Sequence, residues 1–254
     1  MSDVKPQYHV VSFVIPTLRE YAFGESLDYL IAHLGHLAGH QLELVVVDDS
    51  DDDGRAALSV TIDERRSCLP PRVSIRVLGG PRLGKGAAVR LGALETRGDA
   101  VFLMDADIPV IPGYIDVFLE HLAAGADLVI GQRDAGRYAG RPLRQILARG
   151  LYALQTICVF HERLFSDTQC GFKAFRGDLL RELASLQSTK GGMYDLEYLY
   201  AARRRRLRID QVPVELRGEV RPTRIKLFRC IAIDPLEIFY FKGRGMLGHY
   251  EPQS

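Results

Sequence analysis

Five short apolar runs constrain what this chain can fold into more than any other feature. Val10–Ile15, Leu42–Val47, Val73–Leu78, Ala100–Met104 and Asp127–Ile130 recur through its first half. Each is too short for a helix, and most are apolar at odd and even positions alike, the pattern of a strand buried on both faces. Between them, residues 25–38, 54–67, 86–97 and 112–124 carry helical spacing, most clearly at Leu27, Leu30, Ile31, Leu34 and Leu37. Strand and helix in alternation predict an α/β fold, a mostly parallel central sheet flanked by helices. Such sheets bind ligands beyond the C-terminal ends of their strands. Polar clusters fall at three of those ends: Thr17 to Glu20, Asp48-Asp49, and Asp105-Ala106-Asp107.

The second half is less regular. Residues 142–160 predict a long amphipathic helix and 177–186 a short one. "DTQCGFKAF" (167–175) lies between them, and a further helix starts near Asp195, with a strand at 207–214. No Pro/Gly/Ser linker interrupts the 254 residues, so one domain is expected, with a nucleotide-binding half over about 8–131, an acceptor half over about 132–223 and a basic, aromatic tail over 224–254. A net charge of +1 gives no argument for nucleic acid. Cys68, Cys158, Cys170 and Cys230 lack disulfide or zinc spacing and read as thiols of a reducing compartment. The N-terminus has no secretory pattern, and no apolar run approaches the roughly 18 residues of a membrane span. A cytoplasmic protein is expected. The tail, "RIKLFRCIAIDPLEIFYFKGRGML", adds peripheral membrane contact, with a packed helix or a homo-oligomer surface as its rivals.

Gly79 and, after four intervening residues, Gly84-Lys85 have the spacing of a nucleoside-triphosphate loop, but Gly86 stands where that motif needs Ser or Thr. Asp105 and Asp107 close a buried strand. Two carboxylates there suit Mg2+ or Mn2+, which completes its shell with substrate phosphates; a solvated acidic turn is the bland alternative. In Asp48–Asp53, Asp51–Asp53 are expected to cap a helix. Asp48, straight off its strand, is placed to accept hydrogen bonds from a base or ribose.

Taken in order, "FVIPTLRE", "VVVDDSDDDG", "GKGAAVRLGALETRGDAVFLMDADIP", "IGQR", "DTQCGFKAF" and "YDLEYLYAARRRRLRIDQVPVEL" resemble the blocks of family-2 glycosyltransferases with the GT-A fold. The later blocks resemble the subgroup acting on polyprenyl phosphates, and "DTQCGFK" is nearest to dolichyl-phosphate glucosyltransferases. Two departures stand out: Arg19 replaces the family asparagine before Glu20, and the glycine of the family "DDGS" is missing before Ser50.

The resemblance implies a nucleotide-sugar donor, of UDP-glucose or GDP-mannose type, held by Pro16, Thr17, Glu20, Asp48, Gly84, Lys85 and Asp105. It implies Mg2+ or Mn2+ on Asp107 and Asp105. Arg133, Arg144 and Arg224 match phosphate-gripping positions, and Gln169 and Lys173 lie near the acceptor side. Asp195, or Glu197, would orient the acceptor or act as base, so Asp107, Asp195 and Arg133 are the expected catalytic set. Glucose, or next mannose, would pass to a polyprenyl phosphate with inversion. A phosphate monoester, with a second pKa of about 6, is already largely ionised and needs no strong base. A soluble hydroxyl acceptor would need one. A degenerate nucleotide-sugar-binding partner protein is the alternative of another class.

Overall fold

The computed structural model describes residues 8–20, 22–37, 39–133, 150, 153–154, 156–160, 165, 167–217 and 233–251. Its strands are β1 (Val10–Thr17), β2 (Gln41–Asp48), β3 (Val73–Gly79), β4 (Ala100–Leu103), β5 (Leu128–Arg133), β6 (Lys173–Arg176) and β7 (Ile209–Val214). The helices are α1 (Phe23–Leu34), α2 (Asp52–Arg66), α3 (Lys85–Glu95), α4 (Tyr114–Ala123), α5 (Gly177–Leu186), α6 (Tyr194–Arg204) and α7 (Asp234–Met246). The sheet runs β3-β2-β1-β4-β6-β5-β7. β6 alone is antiparallel to its neighbours β4 and β5, and the other pairs are parallel.

The two-faced strands are buried as their composition requires. On β1, Val11, Phe13 and Ile15 join one core with Leu27, Leu30, Phe102 and Phe118. Val14 points the other way, into a second core with Val101, Leu128, Phe175, Leu180 and Tyr198. Sheets covered on both faces leave only strand ends and loops for function.

Two expectations need correction. The first strand does not end at Pro16 but runs to Thr17, with Pro16 opposite Val47. Asp49 N–H donates to the Thr17 carbonyl and Met104 N–H to that of Val14, so alternate residues of β1 face β2 and β4. Pro16 faces the β4 side, where the ladder has already stopped at Leu103, and its missing N–H costs nothing there. The second correction is β6. "KAFR" gave no strand signal, being four residues with a cation at each end, yet it fills the sheet between β4 and β5. Of the predicted 142–160 helix, residues 153–154 and 156–160 are helical, and its remaining stretch lies largely outside the described residues. α7 occupies much of the tail.

Candidate active site

The C-terminal ends of β1 to β5 lie along one edge of the sheet. Because β6 is reversed, its first residue, Lys173, reaches that same edge and brings the 167–171 loop with it. Three left-handed non-glycine residues, Arg19, Arg82 and Ile108, lie in the loops of this edge. Such strain persists only where surroundings enforce it, and it gathers at functional sites.

On the β1–β2 side, Asp48 is buried. Its Oδ1 accepts from Ser50 Oγ at 2.7 Å and Thr17 Oγ1 at 3.1 Å. Its Oδ2 is buried with no hydrogen-bond partner among the described residues. An orphaned acceptor is costly unless a ligand completes it. The rest of the acidic run is structural. Asp49 takes the Arg82 and Gly84 N–H groups at 2.5 and 3.2 Å, and Asp51 caps α2 and pairs with Arg19.

The Gly84–Gly86 turn packs closely against backbone from the second half of the chain. A Cβ at Gly84 would meet the Lys190 carbonyl oxygen at 2.8 Å, and one at Gly86 the Gly191 oxygen at 2.5 Å. These glycines make room for the 190–191 backbone. Gly84 also has φ +116°, which a side chain would strain. Lys85 does reach the site edge: its ammonium donates to Asp105 Oδ1 at 2.5 Å and lies 5.9 Å from the Tyr194 ring centroid. Crowding opposes its charge, but Asp105, Tyr194 and Asp195 outweigh that and hold its pKa well above the ordinary lysine value.

Asp105 and Asp107 are driven apart. Burial pushes Asp105 up, but the charge and hydrogen bond of Lys85 prevail and keep it ionised. Burial and the Asp105 charge raise Asp107. No group of three or more His, Cys, Asp or Glu among the described residues could enclose a metal. Two carboxylates at a strand end, one strained by the other's charge, fit a hard cation that takes its other ligands from a diphosphate. Gly171 packs directly on Asp105: a Cβ there would lie 2.6 Å from Oδ1 and closer still to Cγ and Oδ2.

The acceptor half holds three internally satisfied acids. Asp167 takes a fork from Arg133, Nε at 2.5 Å and an Nη at 2.8 Å, and the Gln169 N–H at 3.1 Å. Burial works against the Asp167 charge, but Arg133 lowers its pKa overall. Asp195, 4% exposed, accepts from Lys173 at 2.6 Å. Burial raises the Asp195 pKa, against the pull of Lys173 and Lys85. Glu197 is wholly engaged, by Ser188 and Thr189 through N–H and hydroxyl groups and by the Tyr250 hydroxyl at 2.5 Å.

Several expectations move accordingly. Lys173 is fully buried, and Cys170 O and Asp195 hold its ammonium. It stands behind the edge, not as a grip on an acceptor. Glu197 fastens the 188–189 loop, its oxygens taken up by Ser188, Thr189 and Tyr250. Burial pushes the Cys170 thiol up to about 11, as befits a packed side chain. His121 has a partner in Asp210 at 2.7 Å. Arg144, Arg224 and His161 lie outside the described residues. Sequence reasoning missed Tyr250, which holds Glu197, and Gln187, whose amide donates to the Gly86 and Thr189 carbonyls and accepts from the Tyr198 hydroxyl; the Tyr250–Glu197 and Gln187–Gly86 pairs lie far apart along the chain and leave no local signal.

Fold and edge define a GT-A glycosyltransferase. The Glycosyl transferase family 2 model matches residues 12–183, and the chain belongs to that family. It is 30% identical over 256 residues to "Dolichyl-phosphate beta-glucosyltransferase ALG5D" of Trichomonas vaginalis, covering 93% of this chain and 75% of that protein. It is 31% identical to the dolichyl-phosphate beta-glucosyltransferase of Drosophila melanogaster, covering 80% and 66%. Among solved structures, glucosyl-3-phosphoglycerate synthase from Mycobacterium tuberculosis, with Mn2+, UDP and glucosyl-3-phosphoglycerate, aligns with a TM-score of 0.61 at 22% identity, over 92% of this chain and 80% of that one. No helix among the described residues is long and apolar enough to cross a membrane.

Proposed function

We propose that the protein transfers glucose from a uridine-diphosphate sugar to the phosphate of a polyprenyl phosphate of the dolichyl type. One observation favours a phosphate over a hydroxyl acceptor: Asp167, Asp195 and Glu197 are each tied to internal partners. A nucleophile that arrives ionised needs no base from them. The names of the relatives point the same way.

In this reading Asp48 Oδ2 accepts an N–H or O–H from the nucleoside, beside Pro16, Thr17 and Glu20. Asp105 and Asp107 would hold Mg2+ or Mn2+, which when bound supplies positive charge to the diphosphate. Lys85, held protonated, adds a fixed cation where charge develops on the leaving group, the preorganised kind of stabilisation that dominates many enzymes. Arg133, steered by Asp167, and Arg144 and Arg224 contribute cations toward the acceptor phosphate. Asp195, held by Lys173, orients the acceptor. An acceptor oxygen bonds to the anomeric carbon as the bond to the diphosphate oxygen breaks, and attack from the opposite face inverts the centre.

The test is incubation of labelled UDP-glucose, GDP-mannose and dTDP-glucose with dolichyl phosphate and Mn2+, followed by solvent extraction. Labelled glucolipid is expected with UDP-glucose. Absence of lipid-linked product with every donor, alongside transfer to a soluble hydroxyl compound, would replace the acceptor assignment.

A further inference from the structure

Helix α7 turns its apolar side outward. Asp234, Ile238, Phe241 and Gly245 form its buried face, and Gly245 packs against Tyr200. The opposite face bears Leu236 (69% exposed), Phe239 (80%), Tyr240, Met246 and, just past the end, Leu247 (88%). At helical spacing these fall on one side with Gly243, and no charge interrupts them. The ionisable groups flank this face. Glu237 accepts from Gly191 N–H, Lys242 donates to the Cys158 carbonyl, and Arg244 stacks near the Tyr240 ring. A contiguous apolar face of this kind marks an interaction surface.

Its place relative to the active edge indicates what covers it. The bond from Gly191 N–H to Glu237, at 2.9 Å, joins α7 to the 190–191 backbone. That backbone closes over Gly84 and Gly86, and Ala87 N–H donates to Lys190 O at 3.1 Å. Three and four residues on are Tyr194 and Asp195. Helix α7 is therefore tied by one hydrogen bond to the loop that frames the site. A polyprenyl phosphate presents its phosphate at the surface of a bilayer, so the site that meets it must lie close to that surface. The sequence leading into α7 adds Arg221, Lys226 and Arg229, with no acid from 221 to 229, which suits anionic headgroups.

We infer that the Leu236–Phe239–Tyr240–Met246 face of α7 seats in a lipid surface and presents the active edge to lipid-borne acceptor. This rests on the polyprenyl phosphate reading above. Aliphatic and aromatic side chains enter the headgroup–acyl boundary while the helix lies in its plane.

Flotation of the whole protein with phosphatidylcholine vesicles, with and without phosphatidylserine, tests it without donor or acceptor. The wild type is expected to float, more strongly with phosphatidylserine. Leu236→Ser/Phe239→Ser should lower its partition coefficient about 100-fold, about tenfold for each side chain. Both side chains are exposed, so its melting temperature should match the wild type. Its turnover should fall on vesicle-borne dolichyl phosphate and hold on a water-soluble short-chain isoprenyl phosphate. A wild type that stays with the soluble fraction overturns the inference. So does a wild-type dimer that the double variant converts to monomer with vesicle binding unchanged, since the face then meets a second copy. Flotation without any glucolipid product would instead leave the docking face standing and remove the acceptor assignment.

Discussion

Replacing Gly171 with Ala tests whether the geometry of Asp105 controls turnover. The new Cβ would stand 2.6 Å from Asp105 Oδ1, and nearer to Cγ and Oδ2, where ordinary contact begins at 3.4 Å. The carboxylate must retreat by about 1 Å, and a misplacement of that size in a catalytic array costs on the order of 100-fold in rate. The retreat also strains its 2.5 Å bond to Lys85. Overpacking adds about 1–3 kcal/mol of destabilisation. For a domain of this size that lowers the melting temperature by roughly 2–4 °C per kcal/mol. The assay is initial-rate kinetics across a Mn2+ titration, with thermal unfolding on the same sample. We expect kcat down about 100-fold, a weaker apparent metal requirement curve and a modestly lower melting temperature. A folded Gly171→Ala protein with wild-type kcat and metal dependence would refute the claim that this glycine sets the carboxylate.

Asp107→Ala should abolish turnover and remove the metal-dependent part of the thermal shift given by UDP-glucose; an unchanged shift would reject Asp107 as a ligand. Asp167, whose pKa the Arg133 guanidinium holds below the ordinary carboxylate value against the effect of burial, contributes stability that is fully present above that ordinary value. As pH falls through this window the unfolded chain binds the proton first, so stability falls with pH, and Asp167→Asn should flatten that limb of a urea-midpoint-against-pH curve. Tyr250→Phe removes a hydroxyl bonded to the buried Glu197 carboxylate. A bond to a charged group contributes about 1.5–3 kcal/mol, so differential scanning calorimetry should show a drop of several degrees, while donor binding persists.

The donor half was legible because its signals are local. A run such as "LELVVV" buries both faces, and its strand ends at Asp48, where the acidic run begins. The capping role of Asp51 could be read from the same few residues. The acceptor half was less legible because its contacts are distant. Lys173 looked like an exposed phosphate ligand until Asp195, 22 residues on, was seen to bury it as an ion pair. Gly84 and Gly86 looked like room for a phosphate, yet the backbone filling that room is more than a hundred residues away. Local periodicity carries no information about such partners. β6 was hidden for a related reason: a four-residue strand paired on both edges draws its stability from neighbours, not from its own β-propensity.

The reversal of β6 bears on how the enzyme could be divided. Among the described strands, β5 and β7 reach the rest of the sheet through β6, and β6 arrives some forty residues after β5 ends. A fragment stopping at Arg133 would contain β5 but no strand to join it to β4. Both would present bare hydrogen-bonding edges, the template for misassociation. During synthesis the donor half therefore waits, its sheet unfinished, until the segment carrying Asp167 and Gly171 has emerged. The strand that joins β5 to β4 is thus the one that carries Asp167 and Gly171 to the active edge, and β7 is added later at the far side of β5.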